Sequence, residues 1–162
     1  MLLPQSRTTL RTAPGPDLHA QVFLCVMKTA DAFARGAEAV LKPAGLSGTQ
    51  YNVLRILRGA GEQGLACSQV GERLISRDPD ITRLLDRMES RGWIARTREE
   101  KDRRVVKTRI TKEGLRILAA LDAPVQALHQ RQLKHLPERQ LRQLASLLDR
   151  ARAEARSGEC GE

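Results

Sequence analysis

The chain has 162 residues, enough for one domain with a real core. Hydrophobic residues are 41% of the chain, which excludes a disordered composition, and aromatic residues only 2%, so the core must come from Leu, Ile, Val and Ala, a mixture that favours helices. Lys and Arg number 28 against 19 Asp and Glu, and the net charge of +9 suits a polyanion such as nucleic acid or an acidic membrane face.

Residues 1–16 hold three prolines among Ser, Thr and Arg and read as a flexible arm. Leu18, Val22, Cys25, Thr29, Phe33, Ala37 and Val40 recur every three or four residues, so a first helix is expected from Asp17 to just before Pro43. In the next segment Ser47 or Thr49 can cap a helix whose inner face holds Tyr51, Leu54 and Leu57 and which the glycines from Gly59 to Gly64 end. A short helix is expected from Ser68 to about Ile75, burying Val70 and Leu74. Asp78 then reads as an N-cap with Pro79 at the first helical position. Ile81, Leu84, Leu85 and Met88 give the following helix one buried face, and Gly92 ends it. Its other face presents Thr82, Arg83, Asp86, Arg87, Ser90 and Arg91.

Trp93–Arg98 and Val105–Ile110 read as paired strands around a charged tip, with Val106, Thr108 and Ile110 on one face. Thr111 caps a long helix with a stripe of Leu115, Leu118, Leu121, Val125 and Leu128 and a kink expected at Pro124. Pro137 opens a last helix carrying Leu141, Leu144, Leu148 and Ala151, and residues 157–162 read as a flexible tail. Short helix, tight turn, helix and hairpin, in that order, make a winged helix-turn-helix, whose second helix fits a DNA major groove. From Arg91 to Lys112 there are nine basic and three acidic residues, so this stretch carries +6 of the chain's +9. A bland reading, a wing charged for solubility alone, competes with a DNA footprint.

The stretches DITRLLDRMESRGWIAR and DRRVVKTRITKEG resemble the core signature of the multiple antibiotic resistance regulator (MarR) family, and the likeness runs in detail from about Leu46 to Gly114. The family's hairpin motif, Asp, any residue, Arg, falls on Asp102, Arg103 and Arg104. Its Leu-Thr-x-x-Gly falls on Ile110, Thr111, Lys112, Glu113 and Gly114, with Ile in place of Leu. The resemblance implies a fold that is mainly α with a small β-hairpin wing, flanked by interlocking dimerisation helices at 17–45 and 112–156 around a DNA-binding domain at 46–111. It implies a homodimer bound to a pseudo-palindromic double-stranded operator, with Arg104 in the minor groove and Asp102 orienting it. On the recognition helix Thr82, Arg83 and Arg87 are the expected contacts, against the alternative of weak surface ion pairs; Ser68 is expected at a phosphate or as a plain cap. Many relatives place a small hydroxyl residue where this chain has Pro79 and Asp80. The acidic Asp80 is expected to favour the helix N-terminus rather than to read cytosine.

The resemblance also implies a small aromatic effector bound between the dimer helices and the winged domain. Phe33 and Tyr51 are candidate lining residues, although both sit on apolar stripes where a core role is the simpler reading. Some relatives sense peroxide through a first-helix cysteine. Cys25 is the candidate here, but a thiol buried on the apolar stripe is inert, and Tyr51 is the only tyrosine. Cys67, before a helix N-terminus, is a second candidate, and Cys160 lies in the tail. The three cysteines form no CxxC pair and His19, His129 and His135 are scattered, so no disulfide framework, metal or cofactor is expected. No apolar run reaches 18 residues and the N-terminus lacks the apolar stretch of a secretory signal, so no membrane partner and a cytoplasmic location are expected. The expected function is a sequence-specific regulator of transcription, a repressor released by an effector. Its rivals are an architectural DNA protein, a thiol-based regulator and a regulator without a ligand. Gly-rich phosphate loops, HExxH and GxSxG are missing from the sequence, so no enzyme is expected.

Overall fold

The computed structural model describes residues 17–76, 78–98 and 106–158, with side chains to 155. Contacts divide the chain into two units, residues 1–33 and 34–162. In the first unit, helix α1 (Leu18–Leu41) begins one residue after the expected start, and Thr29 Oγ1 donates to Cys25 O at 2.7 Å. The expected apolar stripe is there as a helix face, but it is not buried in the single chain. Val22 and Cys25 are exposed, and so are Phe23, Val26 and Met27 beside them. The expectation of a buried Cys25 thiol is therefore corrected for the isolated chain.

In the second unit α1 ends in a 3₁₀ turn through Pro43. Ser47, not Thr49, caps α2 (Gly48–Ala60): its Oγ accepts from Gln50 N at 3.2 Å and Gln50 Oε1 accepts from Ser47 N at 2.9 Å. Val53, Leu54 and Leu57 of α2 are fully buried. The helix-turn-helix follows as α3 (Cys67–Arg73) and α4 (Ile81–Ser90), which bury Val70, Leu84, Leu85 and Met88. The sheet holds β1 (Leu65–Ala66), β2 (Ile94–Arg98) and β3 (Val106–Ile110) in the order β1-β3-β2, all antiparallel. The expected hairpin is thus present, with Arg96 opposite Thr108, and a third short strand joins it. A Cβ on Gly64 would lie 2.7 Å from Thr108 O, so only glycine lets β1 come this close to β3. Long helices α5 (Lys112–Leu133) and α6 (Glu138–Gly158) complete the unit.

Several local expectations shift. Asp80, not Asp78, caps α4: its Oδ1 accepts from Arg83 N, while Asp78 Oδ1 is spent on Asp80 N at 2.9 Å. Pro79 therefore sits in the turn before the helix. Ser68 does not cap α3, which starts at Cys67 with Gln69 Oε1 accepting from Ala66 N at 3.0 Å. That helix ends at Arg73, and Ile75 is 88% exposed. On β3 only Thr108 is buried, while Ile110 is half-buried and Val106, the first described residue of the strand, is exposed. On α5 Leu118, Leu121, Val125 and Leu128 are buried as expected, but Leu115 is exposed. Pro124 lies inside the helix, whose span is continuous. Leu144 and Leu148 of α6 are exposed in the single chain.

Two joints fix the winged unit. After α4, Gly92 N donates to Glu89 O at 2.8 Å and Trp93 N to Met88 O at 3.1 Å, a Schellman turn that reverses the chain into β2. At the start of α5, Thr111 Oγ1 accepts from Gly114 N and donates to Gly92 O at 2.7 Å, while Thr111 N donates to Trp93 O. The end of α4, the start of β2 and the start of α5 thus meet at Gly92, Trp93 and Thr111.

Candidate nucleic-acid interface

The amphipathic spacing of α4 decides which side chains can meet a partner. Leu84, Leu85 and Met88 turn into the core, so Thr82, Arg83, Asp86, Arg87 and Ser90 turn out and are exposed. Thr82 Oγ1 lies 4.0 Å from Cys67 Sγ, which draws the first turn of α4 to the first turn of α3. Ser68, free of a capping role, is exposed at that same end of α3. Ser68 and Thr82 are therefore presented on neighbouring helix starts.

The arginines of this face differ in what holds them. Arg83 Nε pairs with Asp80 Oδ2 at 3.2 Å in an exposed i,i+3 pair of small energetic weight. Asp80 thus acts at the helix start, as expected, and restrains Arg83. Arg87 makes no side-chain hydrogen bond or ion pair among the described residues and lines an open groove with Ser90, Arg91, Ser47 and Gln50. Arg91 Nη1 donates to Gly45 O at 3.1 Å, and its guanidinium lies 4.9 Å from the Trp93 ring centroid. This anchors the end of α4 to the turn before α2.

Among the described residues of the hairpin, Arg96 and Arg109 already have partners within the protein. Arg96 on β2 is held by Glu89 and Asp86 of α4, at 2.6 Å to each from Nη2. Its hydrogen bond holds the Glu89 carboxyl below the usual carboxylate range, while Glu89 raises the guanidinium's affinity for its proton. Arg109 on β3 donates from Nε to Glu62 O and from Nη1 to Thr97 Oγ1 at 2.6 Å. These partners were missed in sequence because Asp86, Glu89 and Glu62 all lie outside the basic stretch. The only sequence signal was the i,i+3 pair Asp86 and Glu89 just ahead of a chain reversal. Asp102, Arg103 and Arg104, the expected tip of the wing, lie outside the described residues, as do residues 1–16 and 159–162.

A second groove lies between α2 and α5, lined by Arg55, Arg58, Asp122, Val125, Gln126 and His129. Arg58 makes a two-pronged bond to Asp122, at 2.8 and 2.9 Å, and this lowers the proton affinity of the Asp122 carboxyl. Tyr51 is half-buried one turn before Arg55 and accepts a hydrogen bond from it at 3.0 Å. Phe33 is half-buried on α1. Among the described residues no cluster of His, Cys, Asp and Glu is suited to a metal, and no helix is long and apolar enough to cross a membrane.

The profile of the MarR family matches residues 46–106. The HTH-type transcriptional regulator TtmR of Methylorubrum extorquens (strain PA1) is 32% identical over 144 residues, which cover 88% of this chain and 73% of that protein. The crystal structure of a MarR transcription factor from Planctomyces limnophilus shares 38% identity over 83% of this chain and 97% of its own, with a TM-score of 0.64. A mutant MarR from E. coli complexed with operator DNA shares 26% over 84% of this chain and 99% of its own, with a TM-score of 0.74. CouR from Rhodococcus jostii RHA1 bound to p-coumaroyl-CoA shares 27% over 82% and 92%, with a TM-score of 0.70. With a winged helix-turn-helix in place and these likenesses across it, the chain belongs to the MarR family of transcriptional regulators.

Proposed function

We propose that the protein is a cytoplasmic homodimer that binds a pseudo-palindromic DNA operator and represses transcription until a small molecule releases it. The observation that carries the reading is the outer face of α4: Thr82, Arg83 and Arg87 exposed on a helix whose other face is locked in the core, with Ser68 beside its start. Arg87 is the strongest of the proposed base or phosphate contacts, because nothing among the described residues competes for it. Asp102, Arg103 and Arg104 are assigned to the wing contact by their motif. The E. coli relative seen with operator DNA supports this reading.

Two exposed apolar stripes support the dimer. One holds Leu18, Val22, Phe23, Val26 and Met27 on α1, and the other holds Leu144, Leu147 and Leu148 on α6. Apolar surface of this extent calls for a cover, and a second copy supplies both stripes at once. Such a dimer would also cover Cys25, which argues against oxidant sensing at that thiol. For the effector, the groove between α2 and α5 offers Arg55 to an aromatic acid, with Arg58 already bonded to Asp122, and Tyr51 one turn before Arg55 is the candidate aromatic neighbour; CouR supports the class by holding an aromatic thioester. Phe33 remains the second candidate lining residue.

The test is selection of bound duplexes from a random pool, followed by titration of the winner and of random DNA. An inverted repeat with half-sites about one helical turn apart, bound far above random DNA, is the expected result. Equal affinities with a steep salt dependence would instead make this an architectural DNA protein. Thermal stabilisation by a panel of aromatic acids and thioesters tests the effector.

A further inference from the structure

We propose that Arg96 is a positioning residue: it locks the β2–β3 wing onto the end of the recognition helix through Glu89 and Asp86, and is not a cation offered to DNA. The inference rests on the DNA-binding reading above and adds to it the part that sets the angle between helix and wing.

The lock is built from both backbone and side chain. Arg96 N donates to Glu89 Oε1 at 2.9 Å, Arg96 Nε to Glu89 Oε2 at 2.8 Å, and Arg96 Nη2 to Glu89 Oε2 and Asp86 Oδ1, each at 2.6 Å. One carboxylate therefore grips the strand by its main chain and by its guanidinium together. Because the sheet order leaves β2 at an edge, Arg96 N points away from β3, and Glu89 occupies a donor that would otherwise face open solvent. Asp86 and Glu89 stand at i and i+3 on α4, so both reach the strand from one helix face. Side-chain exposure is 25% for Arg96 and 37% for Glu89, so the contact is partly shielded from water.

Charge points the same way. One cation sits between two carboxylates, so the cluster is net negative and an Arg96 spent there has little to offer a phosphate. Arg87, on the same helix, carries no such load. The geometry demands arginine, since a lysine ammonium is a point charge and cannot fill the fork between two carboxylates. Leverage explains the placement. The described part of β2 ends at Arg98, two residues on, so a small rotation at Arg96 is carried out along the hairpin toward its tip.

The experiment compares wild type, Glu89→Gln, Arg96→Lys and Arg96→Ala for affinity to the selected operator and to random DNA across a salt series. Glu89→Gln removes a negative charge, so a purely electrostatic role predicts tighter binding to both duplexes. The lock predicts the opposite sign where it matters: random binding holds or tightens, and the operator-to-random ratio falls about tenfold, the weight of one charge-assisted hydrogen bond. Arg96→Lys keeps the charge and should lose the ratio as well. The proposal is overturned if Arg96→Lys keeps the wild-type ratio, or if Arg96→Ala weakens both duplexes equally with a log–log salt slope shallower by about 0.9 per subunit, the mark of a lost phosphate contact. A DNA-free arm separates the two ideas. In Arg96→Lys the amides of β2 and β3 should gain mobility by NMR relaxation while those of α2 and α5 do not. If wild type prefers no duplex, the regulatory reading fails, and unchanged hairpin relaxation would overturn the lock by itself.

Discussion

Replacing Gly114 by Ala tests the joint on which the wing and α5 both depend. A Cβ built there would lie 2.3 Å from Trp93 O and 2.8 Å from Ile110 Cγ1. The isoleucine side chain can turn away, but the carbonyl cannot: it accepts from Thr111 N at 3.1 Å, and Trp93 N is tied to Met88 O. An ordinary carbon–oxygen approach is about 3.3 Å, so the joint must open by about 1 Å. Overpacking of this kind costs about 1–3 kcal/mol, against a helix-propensity gain of roughly 0.5–1 for replacing Gly. The net loss, about 1–2 kcal/mol, should lower Tm by roughly 2–8 °C for a chain of this size. Thermal unfolding at fixed protein concentration reads it, with urea unfolding to check that m is unchanged. Gly59→Ala is the control. Nothing lies within 4 Å of its Cβ, so only the helix gain remains and Tm should hold or rise. A Gly114→Ala protein as stable as wild type would refute the close approach of α5 to Trp93.

Three further outcomes follow from the same geometry. Arg87→Ala should leave Tm unchanged, the change in stability staying within about 0.5 kcal/mol because the side chain has no partner among the described residues, yet weaken operator binding; equal operator affinity in a titration would remove Arg87 from the interface. Val26→Asp places a charge on the apolar stripe of α1 and should shift the protein toward monomer in sedimentation, whereas an unchanged mass would show that the stripe is not the dimer contact. Glu89 has a lowered carboxyl pKa, held first by the Arg96 hydrogen bond, so its contribution is complete above its unperturbed value of 4.5 and is lost as pH falls below it, through the folded-state value. Glu89→Gln should flatten the acid limb of the stability curve in that window; an identical acid limb would contradict the pairing.

Much of the fold was legible because its elements are declared locally. The capping box at Ser47 and Gln50, the 3–4 spacing of α4 and the glycine after it each act within a few residues. What stayed hidden depends on distant or competing partners. The strand β1 is two residues long and exists only because Gly64 lets it approach Thr108. Asp78 looked like a cap, but its carboxylate is drawn to Asp80 N, and the helix begins later. The stripes on α1 and α6 were legible as stripes, yet their burial was not, since a second chain would have to supply it.

The candidate site follows the same division. Which side of α4 faces outward can be read from its period, and Thr82, Arg83 and Arg87 are exposed on that side. How free each cation is cannot be read from a charge count. Of the nine basic residues from Arg91 to Lys112, Arg91 bonds to Gly45 O, Arg96 to Asp86 and Glu89, and Arg109 to Glu62 O and Thr97. All but the last of these partners lie outside the stretch that was counted. A run of arginines in a wing therefore mixes two uses of one side chain, and only the neighbours distinguish them. An arginine held by two carboxylates, such as Arg96, sets geometry, and one with no partner among the described residues, such as Arg87, is the one proposed to carry charge to a phosphate or a base.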